Sequence, residues 1–257
     1  MGVGVNVKQI LLMHVTQQSH AQLLADPQPL SPEQEKTLDA FIKRYDAGEP
    51  LAYLTGKQAF WTMDLIVTKD TLIPRPDTEC LVQWVLENCA DQINWRVADL
   101  GTGTGAIAIA LTLEKPTWII DATDISEKTL LVAKQNAKAY ACNHIHFYQG
   151  HWCDALPHEK YNLIISNPPY IADNDPHLKE LTHEPQNALI SGQKGLDAIT
   201  IITKSASEFL KPDGVLVIEH GFDQANDVVR LFQQTGFSHV TSHQDLSGHD
   251  RFVTGIF

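Results

Sequence analysis

The segment Val97-Ala98-Asp99-Leu100-Gly101-Thr102-Gly103-Thr104-Gly105 decides the fold of this chain. Its first part is an apolar run typical of a buried strand, and its second part is a glycine-rich turn that leads into a helix beginning near Ala106. Glycine lets the backbone bend tightly and approach a ligand closely, while a helix N-terminus directs unpaired N–H groups at that ligand. The segment therefore predicts a strand, a ligand-binding loop and a helix.

Strand-like runs alternate with helical patterns after Pro74, and this alternation is the signature of a parallel α/β domain. Helices are expected between the strands, with Asp77 capping a helix to residue 89 and Ser126 capping one to residue 140. Two further helices are expected over residues 196–210 and 223–234. Seven strands are expected, over residues 96–100, 118–122, 145–148, 161–166, 214–219, 239–242 and 251–256.

The chain before Pro74 does not show this alternation of strands and helices. Residues 1–56 are predicted to form a small helical domain, in which Ser31-Pro32 begins one helix. Residues 57–74 are predicted to form a β-hairpin that links this domain to the main domain, residues 75–257. The hairpin strands would contain Phe60-Trp61 and residues 65–68, separated by Met63-Asp64.

Composition excludes several classes of protein. The formal net charge of −12 repels nucleic-acid backbones, and no run of lysine and arginine offsets it. The four cysteines show no C-x-x-C spacing, which indicates reduced packing residues. No apolar stretch approaches the roughly 20 residues that span a bilayer, and residues 1–15 do not read as a signal peptide. The sequence predicts a cytoplasmic protein with no membrane partner.

The glycine loop alone does not name its ligand. Gly101, Gly103 and Ala106 satisfy the dinucleotide pattern G-x-G-x-x-G/A, so a nicotinamide cofactor is one reading, and a tight turn without a ligand is another. Asp99 makes the loop acidic, which suits a cationic sulfonium better than a pyrophosphate. Asp124, after the next strand, is placed to accept hydrogen bonds from ribose hydroxyls. These residues favour S-adenosylmethionine.

The tetrapeptide Asn167-Pro168-Pro169-Tyr170 follows an apolar strand and suits the binding of a planar NH2 group. The Asn167 side chain and the Pro168 carbonyl offer two acceptors for the two hydrogens, and Tyr170 offers a flat apolar face. Held in this way, the nitrogen would face the methyl group of the cofactor. The tetrapeptide therefore predicts an amine-directed or amide-directed methyltransferase.

Other residues admit two readings each. His144, His146, His151 and Cys153 lie close together in sequence, but their spacing matches no common zinc site, so no metal is expected. Arg75 and Glu79 could form an ion pair at a helix start or take part in the active site. Phe60 and Trp61 could be packing residues of the hairpin. Trp152 could belong to the core or contact an adenine ring.

These residues resemble the HemK/PrmC family, bacterial methyltransferases that modify the side-chain amide of glutamine in the Gly-Gly-Gln motif of peptide chain release factors. The block from Leu72 to Glu79 is the most specific match. The other matches are Phe60-Trp61, Asp99 to Gly105, Asn167 to Tyr170, Glu184-Pro185, Ala188-Leu189, Gly195 to Asp197, Glu219 to Gly221 and Gly248 to Arg251.

The resemblance implies a Rossmann-like seven-stranded methyltransferase sheet, a helical N-terminal domain that helps dock the release factor, and a connecting hairpin, with Phe60 and Trp61, that borders the cofactor. It implies S-adenosylmethionine as cofactor, S-adenosylhomocysteine as product, and Asn167, Pro168 and Tyr170 as catalytic residues, with Pro169 also on the substrate. The cofactor residues would be Asp99, Gly101, Thr102, Gly103, Thr104, Gly105, Asp124, Trp152 and Asn167.

The chain departs from the family pattern in two places. Its N-terminal helical region is about one helix shorter than usual, and Gly150-His151 replaces the acidic residue often found before the Trp152 position. Glutamine methylation of a ribosomal protein stays an alternative, because a related family shares the tetrapeptide. Methylation of an exocyclic amine of nucleic acid uses the same tetrapeptide, but the net charge weighs against it.

Overall fold

The computed structural model describes residues 6–89 and 93–257, which divide into two compact units at residues 57 and 58. Residues 1–5 of the predicted N-terminal domain lie outside the described residues. The first unit is helical, as predicted, with α1 (Val7–Thr16), α2 (His20–Ala25), α3 (Pro32–Asp46) and α4 (Leu51–Thr55). Its core contains Leu11, Leu38 and Leu54.

Capping boxes begin three of these helices. The side chains of Asn6, Ser19 and Ser31 each accept a hydrogen bond from the backbone N–H three residues later, and the side chain of the glutamine at that position accepts one from the N-cap backbone N–H. This reciprocal pairing satisfies N–H groups that a helix start otherwise leaves unpaired. The start predicted at Ser31-Pro32 is confirmed.

A hairpin of β1 (Lys57–Phe60) and β2 (Met63–Ile66) follows, and all of it after Lys57 belongs to the second unit. The predicted turn at Met63-Asp64 is wrong, because the chain turns at Trp61, where φ is 55°. Met63 and Leu65 are buried while Asp64 is exposed, so Met63 and Asp64 continue the alternation of a strand.

The main domain contains a seven-stranded sheet with helices packed against it, as predicted. Its strands are β3 (Arg96–Leu100), β4 (Ile119–Asp124), β5 (Ile145–Gln149), β6 (Tyr161–Ser166), β7 (Leu210–Glu219), β8 (Ser238–Gln244) and β9 (Asp250–Ile256). Its helices are α5 (Glu79–Asn88), α6 (Ala106–Glu114), α7 (Glu127–Ala139), α8 (Asp197–Phe209) and α9 (Ala225–Gln234).

The strand order β5-β4-β3-β6-β7-β9-β8 places the ligand-binding edge of the sheet. Strands β3 to β7 are parallel, and β9 is antiparallel to both of its neighbours. The chain winds outward from β3 to β5 and then returns to add β6 on the other side of β3. Ligands of such sheets bind beyond the carboxyl ends of the strands, where the order reverses.

The start of α5 differs from the prediction. A 3-10 turn over Pro76–Thr78 precedes the helix, and Thr78 rather than Asp77 occupies the N-cap position. Pro74 and Pro76 fix the backbone dihedrals just before the helix, which explains the tighter turn. Asp77 instead lies 3.5 Å from the Arg251 guanidinium. Ser126 caps α7 as predicted, by accepting from the Thr129 N–H.

Candidate functional site

A cavity of about 240 Å³ lies at the carboxyl edge of the sheet, beyond β3, β4 and β6. The glycine loop forms one wall, and the segment between the hairpin and α5 forms another. Its lining includes Phe60, Asp70, Leu72, Thr78, Gly101, Thr102, Gly103, Thr104, Asp124, Ile125, Thr129, Trp152, Asn167, Pro169 and Asn187. The cavity therefore gathers most of the cofactor residues predicted from the sequence.

The position of Gly101 requires glycine for two reasons, its backbone conformation and its close neighbour. Its φ is 71°, in the left-handed region that favours glycine. A Cβ added here would lie 2.9 Å from Cζ3 of Trp152, so only glycine lets the Trp152 ring approach this closely. The half-buried Trp152 ring therefore packs against the glycine loop and lines the cavity.

Asp99 braces the loop and does not line the cavity. Its carboxyl is buried, and Oδ2 accepts a hydrogen bond of 2.6 Å from the Thr102 hydroxyl. Burial raises the pKa of Asp99 to about 7, and hydrogen bonds from Thr102 and from the Ala108 backbone partly oppose this shift. Gly105 likewise lies outside the lining and serves as the left-handed N-cap of α6. We therefore expect Asp99 and Gly105 to contribute to the shape of the loop.

Asp124 connects the loop to the end of β4. Its Oδ2 accepts from the Gly103 N–H at 3.1 Å, and its Oδ1 accepts from the Ser126 N–H at 2.9 Å. Burial raises its pKa, and the backbone hydrogen bonds act in the opposite direction. A carboxylate offers about four lone-pair sites, so Asp124 retains capacity to bind a hydroxyl group from the cavity.

The tetrapeptide separates this cavity from a second one of about 340 Å³. Asn167 and Pro169 line both cavities, whereas Pro168 and Tyr170 line only the second. The Nδ2 atom of Asn167 donates to Thr78 Oγ1 at 2.9 Å, so its Oδ1 remains available as an acceptor. Proline has no N–H, so the carbonyl is the only polar backbone group at Pro168.

Tyr170 is held at both ends. Its hydroxyl donates to Oε1 of Glu219 at 3.3 Å, and its carbonyl accepts from Gln224 Nε2 at 3.0 Å. Burial, followed by the charge of Glu219, raises the pKa of Tyr170, so the hydroxyl stays protonated. At Gly195, where φ is 70°, an added Cβ would lie 2.0 Å from the Tyr170 carbonyl oxygen. Gly195 is therefore required for this backbone approach.

Arg75 pairs with Glu184 and not with Glu79. The Glu184 carboxyl is buried, binds the Arg75 guanidinium and accepts from the Ile73 N–H at 3.1 Å. Of the two readings of Arg75 and Glu79, the ion pair at the helix start is wrong, because the Glu79 carboxyl accepts instead from the Trp61 N–H. The pair ties the segment before α5 to the segment after the tetrapeptide, and Arg75 lines the second cavity.

The zinc reading of the clustered histidines finds no support in residues 6–89 and 93–257. No group of three or more potential ligands in this part of the chain is arranged to hold a metal ion. His146 bonds to the buried carboxylate of Asp121, and Cys153 is fully buried in the core. Over the same residues, no helix combines the length and apolarity that crossing a bilayer requires.

Sequence reasoning missed several residues of the site. Thr78 is the most informative, since it binds Asn167 across 89 positions of the chain. It lies within the Arg75 to Glu79 block that resembled the family, and this was the only signal for it. Phe60 was not among the predicted cofactor residues, although the resemblance placed its hairpin beside the cofactor; it is buried and lines the first cavity.

Comparison with known proteins identifies the family. The methyltransferase small domain matches residues 77–239, and the PrmC N-terminal domain matches residues 6–56. The release factor glutamine methyltransferase of Coxiella burnetii is 47% identical over 246 residues, which cover 95% of this chain and 89% of that protein. This chain belongs to the release factor glutamine methyltransferase family.

A second relative supports this placement, and a solved structure shares the fold. The release factor glutamine methyltransferase of Xylella fastidiosa strain Temecula1 is 44% identical over 96% of this chain and 91% of that protein. A methyltransferase structure from Pyrococcus furiosus aligns with a TM-score of 0.57 over 85% of this chain and 96% of that one. Its identity of 16% shows the fold alone.

As a member of this methyltransferase family, the protein uses S-adenosylmethionine, and the first cavity fits that cofactor. Gly101 lets the Trp152 ring lie directly against the loop, so that the ring presents an apolar surface to the cavity. The Asp124 carboxylate lines the cavity and retains capacity to accept a hydrogen bond from a hydroxyl group. The lining thus combines apolar faces with a small number of polar groups, as expected of a cofactor site.

Proposed function

We propose that this protein methylates the side-chain amide nitrogen of the glutamine in the Gly-Gly-Gln motif of peptide chain release factors. The observation that carries the chemistry is the position of Asn167, which lines both cavities and separates them. The first cavity would hold the cofactor, and the second would hold the glutamine. Two relatives named release factor glutamine methyltransferase are similar to this chain over nearly their whole length, which supports this choice of substrate.

The proposed cofactor residues are those around the first cavity. Gly101, Thr102, Gly103 and Thr104 would bind through the loop, with Asp99 and Gly105 holding its shape. Asp124 would accept from the ribose hydroxyls, and Trp152 would contact the adenine. Asn167 would border the methyl group.

The substrate amide would bind through both of its hydrogens. Asn167 Oδ1 and the Pro168 carbonyl would each accept one N–H, and Tyr170 would pack on the amide plane, with Pro169 completing the wall. This arrangement leaves the amide nitrogen facing the first cavity, so binding orients the reacting atom. Asn167, Pro168 and Tyr170 are the proposed catalytic residues.

The two acceptors also favour the transition state over the bound substrate. The cofactor held by the glycine loop would supply a methyl group on a sulfonium, whose electron pair would remain on sulfur when the methyl group is transferred. The amide nitrogen provides the pair for the new bond to carbon, becomes positive, and then loses one proton to solvent. Its N–H groups become stronger donors as that charge grows, so Asn167 and Pro168 bind them more tightly in the transition state.

The remaining parts of the proposal concern the partner. The helical unit that matches the PrmC N-terminal domain would help dock the release factor. The net charge of −12 disfavours direct nucleic-acid binding. Translation termination takes place in the cytoplasm, which is where the protein would act.

An Asn167→Ala variant tests the assignment. Removing one positioned acceptor is expected to lower kcat by about 10²- to 10³-fold, the usual cost of losing such a group. The matched control is Asn143→Ala, which removes an exposed asparagine between α7 and β5 and should keep wild-type kcat. Methyl transfer to a purified release factor provides the measurement. Near wild-type turnover of Asn167→Ala would overturn the assignment.

A further inference from the structure

The Arg75 guanidinium lies beside the tetrapeptide and has no role in the methyl transfer described above. Its side chain is 36% exposed and lines the second cavity together with Asn167, Pro168 and Tyr170. Removing a charge from water is costly unless the charge is paired. The presence of a partly buried cation in this cavity therefore calls for a reason.

A buried carboxylate holds this guanidinium in place. The Glu184 side chain is 2% exposed, binds Nη2 of Arg75 and accepts from the Ile73 N–H at 3.1 Å. Pro74 and Pro76 restrict the backbone on either side of Arg75. Arg75 is therefore anchored through its side chain and through its backbone.

The ion pair leaves much of the hydrogen-bonding capacity of Arg75 unused. A guanidinium has five N–H donors in a rigid, planar fork. Within the described residues, the hydrogen-bond partner of this guanidinium is Glu184, which binds through one oxygen. Donors of Arg75 consequently remain for a ligand in the second cavity.

The other side-chain donors of this cavity are less suited to a buried ligand. The Tyr170 hydroxyl and the Asn167 NH2 group already donate to protein groups. His177 has a 73% exposed side chain, so a group bound to it stays in contact with water. Arg75 is therefore the charged donor best placed to bind an acceptor inside the cavity.

A peptide that inserts a glutamine side chain into this cavity also brings backbone carbonyl groups to it. Buried carbonyl groups need a donor, whereas the tetrapeptide supplies acceptors for the amide N–H groups. A cationic donor on the side-chain carbonyl of the glutamine would draw the nitrogen lone pair toward oxygen and oppose methyl transfer. A backbone carbonyl carries no such penalty, so it is the acceptor that suits Arg75.

We propose that Arg75 is a substrate-binding residue that donates to the backbone carbonyl of the glycine before the methylated glutamine, with Glu184 holding the guanidinium in position. Glycine has no side chain, so the peptide backbone can approach the plane of the guanidinium closely. Arg75 thus contributes to affinity and to the preference for glycine. The inference rests on the proposed function, since it concerns how the same peptide is held.

The Arg75→Lys variant tests this role, because lysine keeps a positive charge for Glu184 but replaces the planar fork with a point charge. Loss of a charge-assisted hydrogen bond should raise the KM for the release factor about 10- to 100-fold, with kcat changed less than about twofold. The Kd for S-adenosylhomocysteine should change less than about twofold. Should Arg75→Lys fail to fold, Arg75→Gln, which can donate to Glu184 without a charge, should raise KM in the same way.

Arg96→Lys provides the matched control. Arg96 begins β3, is 24% exposed and binds the buried Asp121 carboxylate at 2.7 Å, so it forms the same kind of ion pair. It is not among the residues that line either cavity. Both lysine variants should lose some Tm, whereas only Arg75→Lys should raise KM.

A release factor with alanine in place of that glycine tests the contact from the substrate side. With the wild-type enzyme, its kcat/KM should be at least about tenfold lower than that of the unchanged release factor. With Arg75→Lys, the same substitution should cost less than about threefold, because the contact has already been lost.

The outcomes separate this inference from the proposed function. A wild-type enzyme that fails to methylate the release factor contradicts the function itself. With an active wild type, an unchanged KM of Arg75→Lys, an equal rise of KM in Arg96→Lys, or additive losses with the alanine-substituted release factor overturn the role of Arg75. A fall in kcat at unchanged KM would also overturn it, because that result places the guanidinium on the reacting amide. So would a loss of cofactor affinity equal to the rise in KM, which indicates general distortion.

Discussion

The Gly101→Ala substitution tests the construction of the cofactor cavity. It forces alanine into a left-handed conformation with φ of 71° and places a Cβ 2.9 Å from the Trp152 ring. The conformation alone costs about 1–2 kcal/mol. The ring must also move by several tenths of an ångström, because ordinary carbon contacts begin near 3.5 Å.

Gly236→Ala provides the matched control. Gly236 follows α9, has φ of 93°, and an added Cβ there would meet nothing within 4 Å. Both variants should therefore lose about 2–8 °C of Tm from backbone strain, the shift expected for 1–2 kcal/mol in a chain of this size. Only Gly101→Ala displaces the wall formed by Trp152.

The assay is calorimetric titration with S-adenosylhomocysteine, alongside thermal unfolding of the unliganded proteins. Loss of the contact between the ring and the cofactor should cost about 1–2 kcal/mol, so Gly101→Ala should bind about 5- to 30-fold more weakly than the wild type. Gly236→Ala should bind as the wild type does. Equal affinity of all three proteins would refute the placement of the cofactor against Gly101 and Trp152.

Three further substitutions probe the surroundings of the site. Gly195→Ala drives a Cβ into the Tyr170 carbonyl. We therefore expect kcat to fall at least about tenfold, while the Kd for S-adenosylhomocysteine stays unchanged. An unchanged kcat would refute the close approach. Glu184→Gln weakens the ion pair between Arg75 and Glu184. It should raise the KM for the release factor without changing the Kd for the cofactor. An unchanged KM would argue against a substrate role for the second cavity. Burial raises the pKa of Asp99 from 3.8 to about 7, so the free energy of unfolding of the wild type should fall by up to about 4 kcal/mol as the pH rises from 4 to 7. Asp99→Asn removes this carboxyl and should abolish that fall. Urea unfolding at both pH values checks this, and an unchanged pH dependence would count against the buried position of Asp99.

The strands and helix starts could be predicted because their signals are local. Each strand of the sheet is a short run bounded by glycine, proline or polar residues, and β3 and β6 were predicted with the bounds observed. Ser31 and Ser126 began helices as predicted, since their capping bonds reach only three residues. The glycine loop was predicted for the same reason.

The supporting contacts of the site could not be predicted, because they join distant positions. Arg75 meets Glu184 across 109 residues, and Thr78 meets Asn167 across 89. The nearer charge at Glu79 suggested the wrong partner for Arg75. The direction in which the Asp99 side chain points could not be predicted either. Four successive residues of β3, from Val97 on, are buried, so the strand shows no alternation of buried and exposed positions.

Identification of the methylated atom tests the central claim most directly. Purified release factor would be incubated with this protein and S-adenosylmethionine, digested, and mapped by fragmentation mass spectrometry, with Asn167→Ala in parallel. We expect one methyl group on the side-chain amide of the glutamine in the Gly-Gly-Gln motif, nearly absent with the variant. An unmodified glutamine, with methyl groups found instead on a ribosomal protein or a nucleic acid offered in the same reaction, would contradict it.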